Sequence, residues 1–207
     1  MYNMLLCLQL LCHATDHISS IALTAGFVGA GGHLSQFGDS PHAWAKATFF
    51  FCRLAPKYDF VWFMEDDVYI PSLEAFVTML GLSRYQDVVV KELVSREKDP
   101  ALSHWADADL HYSYPKPWYT SMVCVIGMSS TMLSKIDDYV LEFQMMGFVE
   151  FFYVSIASHN NLTILNPSTL SSIEWQNEWT CNDVNNLNMN WFHPIKDQNS
   201  FRSGCGF

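Results

Sequence analysis

Three consecutive carboxylates, Glu65-Asp66-Asp67, are the residues of this chain whose types and spacing most directly suggest chemistry. Side by side they repel one another, and near a core they ionise together only where a cation or hydrogen-bond donors take up the charge. A hard divalent metal is the simplest such cation. Magnesium or manganese binds one or two carboxylates and fills the rest of its shell with water and phosphate oxygens. The alternative, a solvated acidic turn, accords poorly with the apolar run Phe60-Val61-Trp62-Phe63-Met64 directly before the acids. A fourth acid, Glu150, sits inside the apolar stretch Gly147-Phe148-Val149-Glu150-Phe151-Phe152-Tyr153. A buried carboxylate costs several kcal/mol unless it is paired or stays protonated, and a modestly raised pKa suits general-base work on a hydroxyl. Its alternative is a place on the polar face of an amphipathic helix.

Elements must hold these groups in place. The unbroken apolar run before Glu65 predicts a central strand buried on both faces of a parallel sheet, so the acids lie at its carboxyl end, where open α/β sheets place ligands. Residues 4–11 are a first strand or part of a helix, and residues 25–32 are a glycine-rich turn without phosphate-loop spacing. Ser40-Pro41 predicts a helix start, continued over residues 43–54 with Trp44, Ala47, Thr48 and Phe51 on one face. Lys46 on that helix reaches a phosphate or is simply solvated. Pro71-Ser72 predicts a helix to residue 80, and residues 87–90 a strand. The long irregular stretch 91–117 is rich in aromatics, and such loops are usually functional; Trp105 and Tyr114, with Trp118 just after it, are expected to bind an acceptor. Residues 122–126 predict a second buried strand with Gly127 opening the turn after it, followed by helices over 131–145 and 147–157. Beyond these come a short strand near residue 164, an edge strand over 171–175 and a segment 176–191 of low regular propensity.

The motif Trp62-Phe63-Met64-Glu65-Asp66-Asp67-Val68 resembles the DxD-type acidic motif of nucleotide-sugar glycosyltransferases with the GT-A fold. The resemblance implies an α/β, Rossmann-like single domain with a mixed, mostly parallel central sheet flanked by helices. It implies a manganese or magnesium ion gripping the diphosphate of a nucleotide-sugar donor, with transfer, expected to be inverting, to a hydroxyl of a glycan or glycoconjugate acceptor. On this resemblance Asp67 and His193 would ligate the metal, while Glu65 and Asp66 would contact metal, ribose or donor sugar. Gly127 would approach the donor sugar, Lys196 and the weaker candidate Arg202 would meet the diphosphate, and Glu150 would act as base. The order of parts covers residues 41–202, and residues 1–40 match it poorly. A non-catalytic sugar- or partner-binding protein of the same fold is the alternative.

Composition narrows the classes. A chain of 207 residues, half of them hydrophobic, can bury a full core as one domain. A net charge of −10 leaves no basic face for nucleic acid. The longest early apolar run, residues 4–12, is about half of the roughly 20 needed to span a bilayer, and it lacks the flanks of a signal peptide. The resemblance implies a secretory compartment if an anchor precedes the chain, and a cytoplasmic one otherwise. Of six cysteines, Cys52 and Cys124 read as buried thiols, whereas Cys181 and Cys205 could form a disulfide in an oxidising lumen.

Overall fold

An unbroken apolar strand needs a cover on both faces, and the central strand has two. The computed structural model describes residues 4–7, 44, 47–48, 50–54, 58–100, 105, 113–143 and 145–206. Among these, a five-stranded sheet is formed by β1 (Met4–Cys7), β2 (Phe60–Met64), β3 (Val88–Val89), β6 (Val125–Ser129) and β7 (Ile164–Leu165). A separate two-stranded ribbon joins β4 (Val94–Ser95) to β5 (Tyr119–Thr120). The spatial order of the main sheet is β1-β2-β6-β3-β7. Pairs β1·β2 and β3·β7 are parallel, whereas β6 runs antiparallel to both of its neighbours. The protein is therefore mixed α/β as expected, but two of its four strand pairings are antiparallel rather than mostly parallel.

Every residue of β2 is buried. Val61 and Phe63 face a cluster built with helices α2 (Ser130–Phe143) and α3 (Val149–His159), which follow α1 (Leu73–Ser83) in the chain. Phe60, Trp62 and Met64 face Met79 of α1 and Trp191 on the other side. This alternation is the period of two that a strand imposes on its side chains, and each such buried side chain contributes about 2 kcal/mol as an upper estimate. Ser72 caps α1 by accepting from the Ala75 N–H at 3.0 Å, and Ser129 caps α2 by accepting from Met132 at 3.1 Å.

The expected helix after residue 43 is helical at Trp44, Ala47 and Thr48 and passes into a π-helical turn at Phe50–Leu54. Lys46 and the glycine-rich stretch lie outside the described residues. The second buried strand is displaced, to Val125–Ser129, because Tyr119–Thr120 pairs with Val94–Ser95 instead and residues 121–124 connect the two sheets. Gly127 consequently lies in mid-strand opposite Trp62, not in a turn. A Cβ there would fall 2.6 Å from Phe60 Cε1, so glycine is required for packing.

The segment expected to be irregular contains α4 (Cys181–Asn186), whose Thr180 and Asp183 form a reciprocal capping box. It is followed by α5 (Gln198–Cys205), capped by Asp197. A disulfide between Cys181 and Cys205 ties the start of α4 to the end of α5. No described helix is long and apolar enough to cross a membrane.

Candidate metal and diphosphate site

The chain leaves β2 at Glu65, whose N–H donates to the Cys124 carbonyl at 2.9 Å. That contact exists because β6 runs backwards: its amino end, not its carboxyl end, lies beside the carboxyl end of β2. The acids then turn, with Val68 N–H donating to Glu65 O at 3.2 Å, and Tyr69 pairs with Phe192 through two backbone hydrogen bonds. The 192–195 segment is thereby zipped along the acidic turn, with Ile195 N–H donating to Asp67 O at 2.8 Å. Gln198, at the start of α5, adds side-chain bonds to the carbonyls of Asp66 (2.7 Å) and Val68 (3.1 Å).

This zipper delivers His193 to the acids across 126 residues of sequence. Its Nε2 lies 3.2 Å from Glu65 Oε2 and 3.2 Å from Asp67 Oδ1. Its Nδ1 lies 2.6 Å from the Glu174 carbonyl, which can only accept, so the Nδ1 proton is donated there. Nε2 then presents either a lone pair or a proton to two carboxylate oxygens. A lone pair in that position is repelled; a proton or a metal cation resolves it. His193 is 3% exposed and Asp67 6%, so solvent does little to relieve the repulsion. Backbone bonds hold the imidazole in place: His193 N–H to Ser172 O at 3.1 Å, and His193 O accepting from Trp179 Nε1 at 2.9 Å.

Electrostatics follow the geometry. Burial by itself disfavours the imidazolium of His193, but Glu65, the Glu174 carbonyl and Asp67 outweigh it and hold its pKa above the ordinary value. The His193 hydrogen bond lowers the pKa of Glu65 against the opposing effect of burial, assisted by donors from Cys124 and Trp44. Lys196 places its ammonium on Asp67 Oδ2, which raises the lysine pKa, although the side chain is 80% exposed. The Cys124 thiol is pushed far up by burial and by the charges of Glu65, Glu150 and Asp67, so it stays protonated and donates to Glu65.

Glu65 Oε2 and Asp67 Oδ1 each lie 3.2 Å from His193 Nε2, close to the roughly 3 Å edge of an octahedron with bonds near 2.1 Å, so these residues could hold a divalent ion. The second-sphere bond from Nδ1 to a carbonyl is the usual companion of a ligating histidine. Glu65, Cys124 and His193 also bring ligand atoms within 4.8 Å of one another. Manganese accepts mixed oxygen and nitrogen ligation more readily than magnesium, while a deprotonated Cys124 would favour a softer metal.

The remaining expected site residues are distributed unevenly. Asp66 is exposed at the tip of the acidic turn. Arg202 is exposed in α5, one helical turn beyond Gln198. Glu150 is half-buried in the first turn of α3, where the helix dipole favours a carboxylate, rather than enclosed in apolar surroundings. It lines a cleft of about 420 Å³.

The three expected acceptor aromatics are not in that cleft's lining. Trp105 is core: it packs on Phe151 with ring centroids 5.0 Å apart and donates to Asp99 O at 2.6 Å. Residues 117–121 run antiparallel along α3, bonding through Pro117 to His159, Tyr119 to Ser155 and Ser121 to Glu150. Tyr114, stacked edge-on against His159, and Trp118 thus belong to the C-terminal half of α3, about 13 Å of helix rise from Glu150 at the far end. Burial, with Tyr139 and Glu142 nearby, pushes the Tyr114 hydroxyl up to about 12.

Glu174, Cys124, Trp44 and Gln198 were not singled out from the sequence as parts of the site. Their contributions are a carbonyl, a thiol proton, an indole N–H and an amide, and none of these forms a motif. Comparison of the chain with protein-family models and with curated proteins returns no match.

Proposed function

We propose that this protein is a metal-dependent glycosyltransferase of GT-A type that moves a sugar from a nucleotide-diphosphate donor to a hydroxyl acceptor. The observation that carries the proposal is the meeting of Glu65 and Asp67 on His193 Nε2 at the carboxyl end of the central strand. When bound there, manganese or magnesium supplies charge neutralisation for the departing diphosphate. Glu65, Asp67 and His193 would hold it, with Asp67 and His193 fixed by burial and by the backbone zipper.

The chain's own groups account for the remaining work. Lys196 is long, exposed and already at the metal-binding carboxylate, so its ammonium can turn from Asp67 to a diphosphate oxygen. Exposed Asp66 is available to donor hydroxyls. Glu150 would take the proton of the acceptor hydroxyl as its oxygen bonds to the anomeric carbon and the bond from that carbon to the diphosphate breaks. Attack on the face opposite the leaving group inverts the anomeric centre.

A screen of nucleotide sugars by thermal shift, with and without manganese, followed by transfer assays on the stabilising donor, tests the proposal. A ligand specific to the native state raises the melting temperature according to its occupancy. Metal-dependent stabilisation by a nucleotide sugar and turnover with an acceptor are expected; neither appearing for any common donor would reject it.

A further inference from the structure

We propose that Cys124 is a ligand of the cation site and that, with Glu65 and His193, it makes the site one that holds a thiophilic transition metal, zinc above all, more tightly than manganese or magnesium. The inference rests on the metal site that the transferase reading uses, and adds to it a donor and a metal preference. One ligand atom each from Glu65, Cys124 and His193 lie within 4.8 Å of one another. A tetrahedral zinc ion with bonds of about 2.0–2.3 Å sets its donors about 3.3–3.5 Å apart, so the three need to draw together by only about 1 Å. The pair of Glu65 Oε2 and His193 Nε2 is already at 3.2 Å.

The sheet brings the thiol there. Met64 on β2 lies opposite Val125 on antiparallel β6, so one step further Glu65 lies opposite Cys124, joined to it by the 2.9 Å bond from the Glu65 N–H to the Cys124 carbonyl. Side chains of directly opposed residues stand on the same face, and the Cys124 thiol donates to the Glu65 carboxylate. That thiol is buried and takes part in no disulfide. His193 meets them from the far side of the acidic turn, with Nδ1 held by the Glu174 carbonyl at 2.6 Å and Nε2 left for the ion. Asp67 Oδ1, 3.2 Å from Nε2, completes a set of four.

Two of these donors bond each other in the metal-free protein and turn to the ion together. As the sulfur–zinc bond forms, the thiol proton leaves to water, and the Glu65 oxygen that accepted it is released to the same zinc. Thiolate is a poor partner for magnesium, which takes oxygen ligands, and a good one for zinc; sites of mixed nitrogen, oxygen and sulfur bind manganese less tightly than cobalt or zinc. Zinc and manganese would share Glu65 and His193, and therefore compete.

Cobalt binding tests this, because a cobalt–thiolate bond adds a charge-transfer absorption in the near ultraviolet that oxygen and nitrogen donors do not. The full chain, stripped of metal by a chelator and kept from oxygen, is titrated with cobalt, then with zinc and manganese as competitors. The band is expected in the wild type, and zinc should displace cobalt at a concentration at least about 100-fold below manganese. Cys124→Ser should abolish the band and weaken zinc by about 100-fold or more, beyond the loss of an outer partner, while leaving manganese affinity within about threefold. Cys124→Ala gives the same reading without placing a hydroxyl in the core. Cys52→Ser, whose thiol is bonded to the Leu133 carbonyl at 3.2 Å, should keep the band. Cobalt binding without the band, or a band that survives loss of Cys124, overturns the inference and leaves the oxygen and nitrogen site of the transferase reading standing. No binding of cobalt, zinc or manganese overturns both. The band, lost with Cys124, in a protein that turns over no nucleotide sugar with any of these metals supports the inference and removes the transferase reading.

Discussion

Replacing Asp67 by asparagine keeps the shape of the side chain and removes one charge from the centre of the site. Among the described residues Asp67 has two side-chain partners, the buried His193 and the ammonium of Lys196. Removing one member of a fully buried pair costs about 3–5 kcal/mol, but Lys196 is exposed and rehydrates, so its share falls within the roughly 0–1 kcal/mol of surface pairs. His193 keeps Glu65, and an asparagine amide can donate to its neutral Nε2. We therefore expect a loss of about 1–2 kcal/mol in the metal-free protein, or some 2–8 °C in melting temperature for a chain of this size. Function should suffer far more: loss of an electrostatic contact to the transition state costs about 100- to 1,000-fold in turnover. Two measurements, melting with and without manganese and the initial rate of sugar transfer, separate the effects. The variant should melt slightly lower, lose the stabilisation by manganese and lose turnover. Near-normal transfer with an intact manganese shift would refute the assignment of Asp67 as a ligand.

The other expectations are narrower. In the metal-free protein the raised pKa of His193 stabilises fully below its unfolded value near 6.5 and is lost as pH rises through the folded value. The lowered pKa of Glu65 stabilises above its unfolded value near 4.5 and is lost as pH falls through the folded one. The stability difference between wild type and His193→Gln should therefore be greatest between these values and shrink on either side in urea titrations. Manganese competes with the Nε2 proton, so its thermal shift should instead grow with rising pH. Glu150→Gln should lower the rate of transfer by about 100- to 10,000-fold, with stability within about 1 kcal/mol of wild type and the manganese shift intact; a rate unchanged at saturating acceptor would remove Glu150 as the base. Gly127→Ala forces a Cβ against the Phe60 ring and should cost about 1–3 kcal/mol of overpacking. Where the variant remains folded, its donor KM should match wild type, since Gly127 is far into the strand.

How much was legible in the sequence follows from how local each signal is. An apolar run of five residues ended by acids can hardly be anything but a strand that leaves a core, and β2 is found there with the acids at its carboxyl end. The helix starts at Ser72 and Ser129 were readable because a cap is a contact between residues three apart. The Thr180-Asp183 capping box was present in the same local form, and it marks α4 within a stretch that composition alone presented as irregular.

Register and direction are different, because they depend on what lies across the sheet. Nothing within residues 119–129 says that Tyr119–Thr120 will pair with a ribbon, or that β6 will run against β2, yet those two facts move Gly127 out of a turn and bring Cys124 to Glu65. The same holds for the aromatics: Trp105 and Trp175 are alike as residues, and only the packing of α3 buries one and leaves the other at the cleft. The sequence by itself determined a buried strand ending in three carboxylates and a histidine held next to a proline. The tertiary structure alone decided that both ends of that arrangement meet, since contacts between residues 65, 67 and 193 are made by backbone pairing across the fold, to which chain order is blind.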